Sequence, residues 1–215
     1  MEIDRDEIAV LSWVVGPIQT SIYVVGCRTT GKAVIIDAGG NAAGLLEAID
    51  DRDWELTEIW QTHAHVDHVA GLNDVKDARD VPILLHQADQ PIYEAAVQQG
   101  KMFGFDIEPL PSVDQYVEEG DVVNVGKLEA KVMWLPGHSP GQVAFYFEEQ
   151  GLFFGGDVVF AGSVGRVDLP GCDPEAMKRS LQRVKELPDG TVILPGHGPT
   201  TTVGQEKKAN PFLRG

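Results

Sequence analysis

The chain reads as an α/β fold in which two related halves stack sheet on sheet, and three observations predict it. In the first half, β-branched runs bounded by glycine alternate with stretches at helical spacing. The second half is richer in strands, and within it Leu135-Pro-Gly-His138 returns as Leu194-Pro-Gly-His197, each time after an apolar run. In each copy Pro and Gly end a strand and leave a His at the sheet's edge, so the functional residues are expected between the ends of the two sheets.

Ile8–Val15, Ser21–Gly26 and Lys32–Asp37 are the first three strands, rich in Val and Ile. Asp37-Ala-Gly-Gly-Asn41 stops the third, and Ala42–Ile49 follows as a helix. Leu56–Thr62 is the next strand, and His68–Arg79 has Val69, Leu72 and Val75 on one helical face. Val81–His86 is a short strand, then a helical stretch runs from about Gln87 to Gln99. Gly100–Pro111, with two Pro, two Gly and two Phe, reads as a mobile flap or connector. Asp121–Val125, Leu128–Leu135, Gln142–Phe147 and Leu152–Gly155 are strands of the second half. Asp173-Pro174 opens a helix as N-cap and first residue, continued by Met177, Leu181, Val184 and Leu187. Thr191–Leu194 is the last strand.

The densest chemistry lies between the fourth strand and the helix after it. Gln61-Thr62-His63-Ala64-His65-Val66-Asp67-His68 puts three imidazoles and a carboxylate within six residues. Neutral imidazole and carboxylate are the ligands of zinc-like cations. His63 and His65 point the same way if the backbone stays extended, while Asp67 and His68 follow on the turn, so one loop offers ligand pairs to two neighbouring cations. His138, Asp157 and His197 complete the candidate set, Asp157 after a strand end whose glycines permit close backbone approach. Asp37 ends its strand where ligand loops gather; it reads equally as a hydrogen-bond partner to a ligand or as an ordinary turn residue. His86 stands alone and reads as structural.

At 215 residues, with 43% hydrophobic and 23% charged, positions 1–215 fit one domain able to bury a core without disulfides. Cys27 and Cys172 are the only cysteines and read as plain buried or half-buried thiols. The formal charge of −16 argues against nucleic-acid partners. No apolar run suits a membrane span and the N-terminus lacks the features of a secretory signal, so the expected compartment is the cytoplasm.

Five His and two Asp in this order, with Ile35-Ile36-Asp37, Pro136-Gly137-His138, Gly156-Asp157 and Pro195-Gly196-His197, resemble the metallo-β-lactamase superfamily. The resemblance spans nearly the whole chain and implies an αββα sandwich of two mixed β-sheets flanked by helices. It implies that His63, His65 and His138 hold one divalent metal, that Asp67, His68 and His197 hold a second, and that Asp157 bridges them. Zinc is the first expectation, and the same ligands suit iron or manganese. A carboxylate at the bridging place looks like glyoxalase II-type hydrolases, whereas the family's β-lactamases commonly use a Cys at the second metal.

Ala161–Gly171 and the segment from Gly198 to Phe212 resemble short glyoxalase II-like hydrolases that lack the C-terminal helical glutathione-binding domain. The implied function is a dinuclear metal-dependent hydrolase of thioesters, S-lactoylglutathione-like, acting on a small-molecule substrate. Asp67 would orient the attacking hydroxide. A thiol with pKa about 8.5 leaves without help from an acid, which suits a site where no proton donor is visible. Gly165-Arg166-Val167-Asp168 is also similar to persulfide dioxygenases, in which one iron would correspond to His63, His138 and Asp157. A metal-binding protein without catalysis is the third alternative. Arg166 is a candidate substrate contact, although an Arg166–Asp168 salt bridge that shapes the loop is the plainer reading.

Overall fold

The computed structural model describes residues 2–5 and 7–214. They form two stacked mixed sheets with helices on both outer faces. The first sheet holds β1 (Glu2–Arg5), β2 (Ile8–Val15), β3 (Thr20–Cys27), β4 (Lys32–Ile36), β5 (Glu55–Trp60), β6 (Ile83–Leu85) and β7 (Gln115–Tyr116), in that spatial order. Between these strands lie α1 (Ala42–Asp50), α2 (Val66–Val69), α3 (Leu72–Ala78), α4 (Gln90–Glu94) and α5 (Ala96–Phe103). The second sheet is built from β8 (Val122–Val125), β9 (Leu128–Trp134), β10 (Val143–Phe147), β11 (Leu152–Gly156), β12 (Val192–Pro195) and β13 (Thr201–Thr202), with α6 (Pro174–Glu186) before β12 and α7 (Val203–Ala209) after β13.

Side-chain alternation explains the layering. In β3 every residue is buried, but Tyr23, Val25 and Cys27 join the core between the sheets while Ile22 and Val24 face the helices. The central core is aromatic on the second sheet's side, with Phe145, Phe147 and Phe154 packed around Trp60 and Tyr23. α1, α3 and α5 cover the outer face of the first sheet. Met177, Leu181 and Val184 of α6, with Val203 of α7, cover the outer face of the second. The cap at Asp173 is as expected, its carboxylate accepting from the Glu175 and Ala176 amides at 2.9 and 3.0 Å.

Several elements differ from the sequence reading. The stretch read as one helix over 68–79 is two, α2 and α3, separated at Ala70-Gly71. Gly71 donates its amide to the Ala38 carbonyl at 2.8 Å, and a Cβ there would stand 2.8 Å from the Gly40 backbone, so the chain must bend to pass that loop. The stretch from Gln87 to Gln99 is likewise divided into a 3-10 turn at Gln87–Asp89, α4 and α5. α5 runs on to Phe103, so the connector begins later than Gly100. β1, β7, β13 and α7 are too short or too polar to stand out in the sequence. Most informative is the repeated Leu-Pro-Gly-His: both copies leave strands of the same sheet, β9 and β12, so the repeat does not mark one copy per half. The two halves nonetheless stack, the first sheet ending at Tyr116 and the second beginning at Val122.

No helix among the described residues is long and apolar enough to cross a membrane.

Gly71→Ala is expected to destabilise the protein by about 1–3 kcal/mol, the usual cost of overpacking. Thermal unfolding reads this as a drop of about 2–4 °C per kcal/mol for a chain of this size.

Candidate metal centre

The candidate residues sit at the carboxyl ends of strands along one edge of the sandwich. Asp37 follows β4, the His63–His68 loop follows β5, His138 follows β9, Asp157 follows β11 and His197 follows β12. β4 and β5 are parallel neighbours in one sheet, as are β11 and β12 in the other. Hydrogen bonds tie the sheets together at this edge: Ser21 N–H to the Gly196 carbonyl at 2.7 Å, Tyr23 O–H to the Pro195 carbonyl at 2.7 Å, and Val143 N–H to the Thr62 carbonyl at 2.8 Å.

All seven residues singled out in the sequence converge here. Ligand atoms of His63, His65 and His138 lie within 4.8 Å of one another, and so do those of Asp67, His68 and His197. A third such group, His63, His68 and Asp157, joins the two. Asp157 Oδ2 lies 3.4 Å from both His138 Nε2 and His197 Nε2, while Oδ1 lies 3.4 Å from His68 Nε2, so one carboxylate faces both sides. Inside this cluster His63 Nε2, His68 Nε2 and Asp157 Oδ1 are buried without any hydrogen-bond partner. Leaving such buried atoms facing one another is costly, and a divalent cation satisfies imidazole and carboxylate together. The donor set therefore fits divalent cations.

The far sides of these groups are fixed by neighbours. His68 Nδ1 meets Asp37 Oδ2 at 2.9 Å, and His138 Nδ1 meets the Arg166 carbonyl at 2.8 Å, which leaves each Nε2 to face the cluster. Asp37 also accepts from Thr62 N–H at 2.7 Å and Thr62 Oγ1 at 2.8 Å. Asp37 is thus a hydrogen-bond partner of the candidate ligand His68, and with φ 60° it also turns the chain. Asp67 Oδ2 accepts from Thr20 Oγ1 at 2.7 Å. Gly196 leaves room for all of this, because a Cβ there would lie on Asp157 Oδ1 and 2.8 Å from His68 Cε1.

Burial, and then the neighbouring His68, drives the pKa of His63 well below its ordinary value. Burial and His138 push His65 down to about 3. Burial would raise Asp157, yet His138 and His68 hold it well below the carboxylate range; Asp67 is lowered likewise, with His68 overcoming burial. Burial would lower His68 and His197, but Asp67, Asp37 and Asp157 raise His68 well above 6.5, and bonds to Asp157 and Asp67 push His197 up to about 9. With no metal bound, the surrounding carboxylates favour the charged form of both rings.

Residues without a motif also shape the site. Asp89, fully buried, accepts from Ala64 N–H at 2.9 Å, Ser139 Oγ at 2.8 Å and Gly141 N–H at 2.5 Å, clamping the His63–His65 loop to the His138 loop. In the sequence it sits in an ordinary-looking helix start and carries no signal. Thr20 is equally silent. Arg166 lines the cavity, but its guanidinium binds Asp168 in two bonds of 2.6 and 2.9 Å, as the loop-shaping reading expects. His86 lies outside the cluster, stacked on Trp134 with ring centroids 5.3 Å apart. Cys27 and Cys172 are free thiols, and Cys172 Sγ lies 2.9 Å from the His138 carbonyl.

Fold and site together define a member of the metallo-beta-lactamase superfamily: the family model matches residues 15–197, and the chain belongs to it. The hydroxyacylglutathione hydrolase GloC of Haemophilus influenzae is 37% identical over 191 residues, covering 85% of this chain and 87% of that protein. A crystal structure of TTHA1623 in a di-iron-bound form is similar with a TM-score of 0.86 and 40% identity, covering 94% of this chain and 100% of the other. The BLEG-1 B3 metallo-beta-lactamase is similar with a TM-score of 0.88 and 34% identity, covering 96% of this chain and 100% of the other.

Three outcomes are expected. Asp157→Ala lowers metal content, measured by elemental analysis, and costs more than about 100-fold in metal affinity, beyond the range for residues that only orient ligands. His86→Ala leaves metal content unchanged. For the metal-free protein the stability supplied by protonated His197 is complete below pH 6.5 and fades as pH rises toward 9, because the folded-state pKa lies above the unfolded one. Thermal unfolding of metal-free protein should thus weaken between pH 6.5 and 9, and His197→Ala should flatten that dependence.

Proposed function

We propose that the chain is a metal-dependent hydrolase of small thioesters, S-lactoylglutathione-like, that takes two divalent cations, zinc foremost. The observation that carries this reading is the convergence of three unpartnered buried atoms, on His63, His68 and Asp157, at the middle of five imidazoles and two carboxylates. The likeness to a hydroxyacylglutathione hydrolase supports the thioester, and the likeness to a di-iron-bound structure supports a pair of cations.

On this reading His63, His65 and His138 hold one cation, Asp67, His68 and His197 the other, and Asp157 lies between. A divalent pair bound there supplies Lewis acidity to a water and to the substrate carbonyl. The chain's own groups set the geometry. Thr20 fixes Oδ2 of Asp67, which leaves Oδ1 to accept from the attacking water and aim its lone pair at the carbonyl carbon. Asp37 and the Arg166 carbonyl keep His68 and His138 in one orientation. Water adds to the carbonyl carbon, the carbon–sulfur bond breaks, and the products are a carboxylate, a thiol and one proton. A thiol leaves as thiolate with pKa about 8.5, so no acid has to act on the sulfur.

A mononuclear iron persulfide dioxygenase would use His63, His138 and Asp157 alone. It would leave His65, Asp67, His68 and His197 gathered at the same point without a role, and the convergence of all seven favours the hydrolase.

Hydrolysis requires Lewis acidity only, whereas oxygen chemistry requires a redox metal. Zinc-loaded protein is therefore expected to cleave S-lactoylglutathione under anaerobic conditions, read as thiol release. Activity confined to an iron form, with persulfide and oxygen as substrates, would establish the dioxygenase instead.

A further inference from the structure

We infer that the apolar groove beside the metal cluster, between the α4–α5 pair and the Leu169–Gly171 loop, is the subsite for an apolar chain of the substrate; this rests on the thioester-hydrolase reading above. The cluster opens into a cavity of about 440 Å³, and a second cavity of about 480 Å³ adjoins it. His65, Gln99, Phe103 and Leu169 line both, so a ligand with its reacting carbon at the cluster has its continuation in the groove. Ile92, Ala95, Met102 and Pro140 complete the apolar wall.

Two independent features say what the groove takes. First, large apolar side chains that line the two cavities are in contact with water: Met102 of the groove is 77% exposed, Phe103, which lines both, 36%, and Ile18 of the first cavity 40%. Apolar side chains gathered around a cavity gain by closing over an apolar ligand, and Met adapts its shape at little cost. Second, the lining offers an anionic tail nothing to hold. Among the described residues, no Asp, Glu, Lys or Arg lines the groove. Arg166 is, among the described residues, the one Lys or Arg lining the first cavity, and Asp168 already takes its guanidinium. With a net charge of −16, the protein gives no long-range attraction to a tripeptide carrying two carboxylates. The preferred substrate is therefore a thioester with an apolar acyl or thiol chain, and S-lactoylglutathione is a poorer relative of it.

Two series of thioesters, assayed with metal-loaded enzyme, test this and separate the two sources of the chain. In one, the acyl group lengthens from two to about eight carbons on N-acetylcysteamine; in the other, lactoyl stays fixed and the alkyl thiol lengthens. In one of the two arms kcat/KM is expected to rise about two- to fourfold per methylene until the groove is full, chiefly through KM. Met102→Gln and Ala95→Trp should flatten that rise, and the ratio of long to short substrates is read within each variant, so a loss of folded protein does not imitate the effect. Hydrolysis with no chain-length dependence in either arm, or a hundredfold preference for S-lactoylglutathione over the longest apolar member, overturns the groove assignment and leaves the hydrolase reading standing. Calorimetry on the metal-free protein with two thioethers, S-octyl- and S-methyl-N-acetylcysteamine, measures the groove without turnover. The octyl compound should bind at least tenfold tighter, and equal affinities overturn the assignment. Hydrolysis of no thioester overturns the hydrolase reading, and the thioether pair then decides the groove by itself.

Discussion

Asp37, Asp67 and Asp157 lie almost shut off from water beside His63, His68 and His138, and that concentration of buried charge is the constraint on which the rest of the structure depends. Burying a carboxylate is costly unless an opposite charge or several hydrogen bonds meet it. Here the bonds come from the far side of the cluster: Thr62 donates to Asp37, Thr20 to Asp67, and Asp37 in turn accepts from His68 Nδ1. The inner atoms are left over, and they face one another. A site organised so that its outer shell is satisfied and its inner shell is not is shaped around positive charge, whether protons on His68 and His197 or divalent cations.

The fold makes that arrangement possible because the two sheets meet along the edge where five strands end. Neither sheet holds the full set: the first supplies Asp37, His63, His65, Asp67 and His68, the second His138, Asp157 and His197. The bonds across the edge, from Ser21 and Tyr23 to the Pro195-Gly196 backbone and from Val143 to Thr62, set how closely the halves approach, and Asp89 ties the His63–His65 loop to the His138 loop. Ligand geometry is thus a property of the interface between sheets, so a packing change in the aromatic core around Trp60 and Phe145 bears on the metal centre as well as on stability.

Much of this was legible in the sequence because metal chemistry needs particular residue types and the chain crowds them: His63, His65, Asp67 and His68 announce themselves, and the strand-ending Pro-Gly before His138 and His197 points to a sheet edge. The cap at Asp173 and the strand over Leu128–Leu135 were equally plain. What stayed hidden is what depends on three-dimensional approach. Thr20 and Asp89 belong to residue types found in any turn, and only the fold brings them within 2.9 Å of their partners. The bend at Gly71 follows from the passage of a distant loop, which no local periodicity records. The apolar groove falls partly in Gly100–Pro111, a stretch that composition describes as a connector and that the end of α5 turns into a wall.

The proposed hydrolase holds two cations in this site with Asp157 between them. Anomalous diffraction from crystals of the metal-loaded protein, recorded at the absorption edge of the bound metal, tests it most directly. Two peaks are expected, one beside His63, His65 and His138 and one beside Asp67, His68 and His197. A single peak held by His63, His138 and Asp157, with none beside Asp67, His68 and His197 at full metal loading, would contradict it.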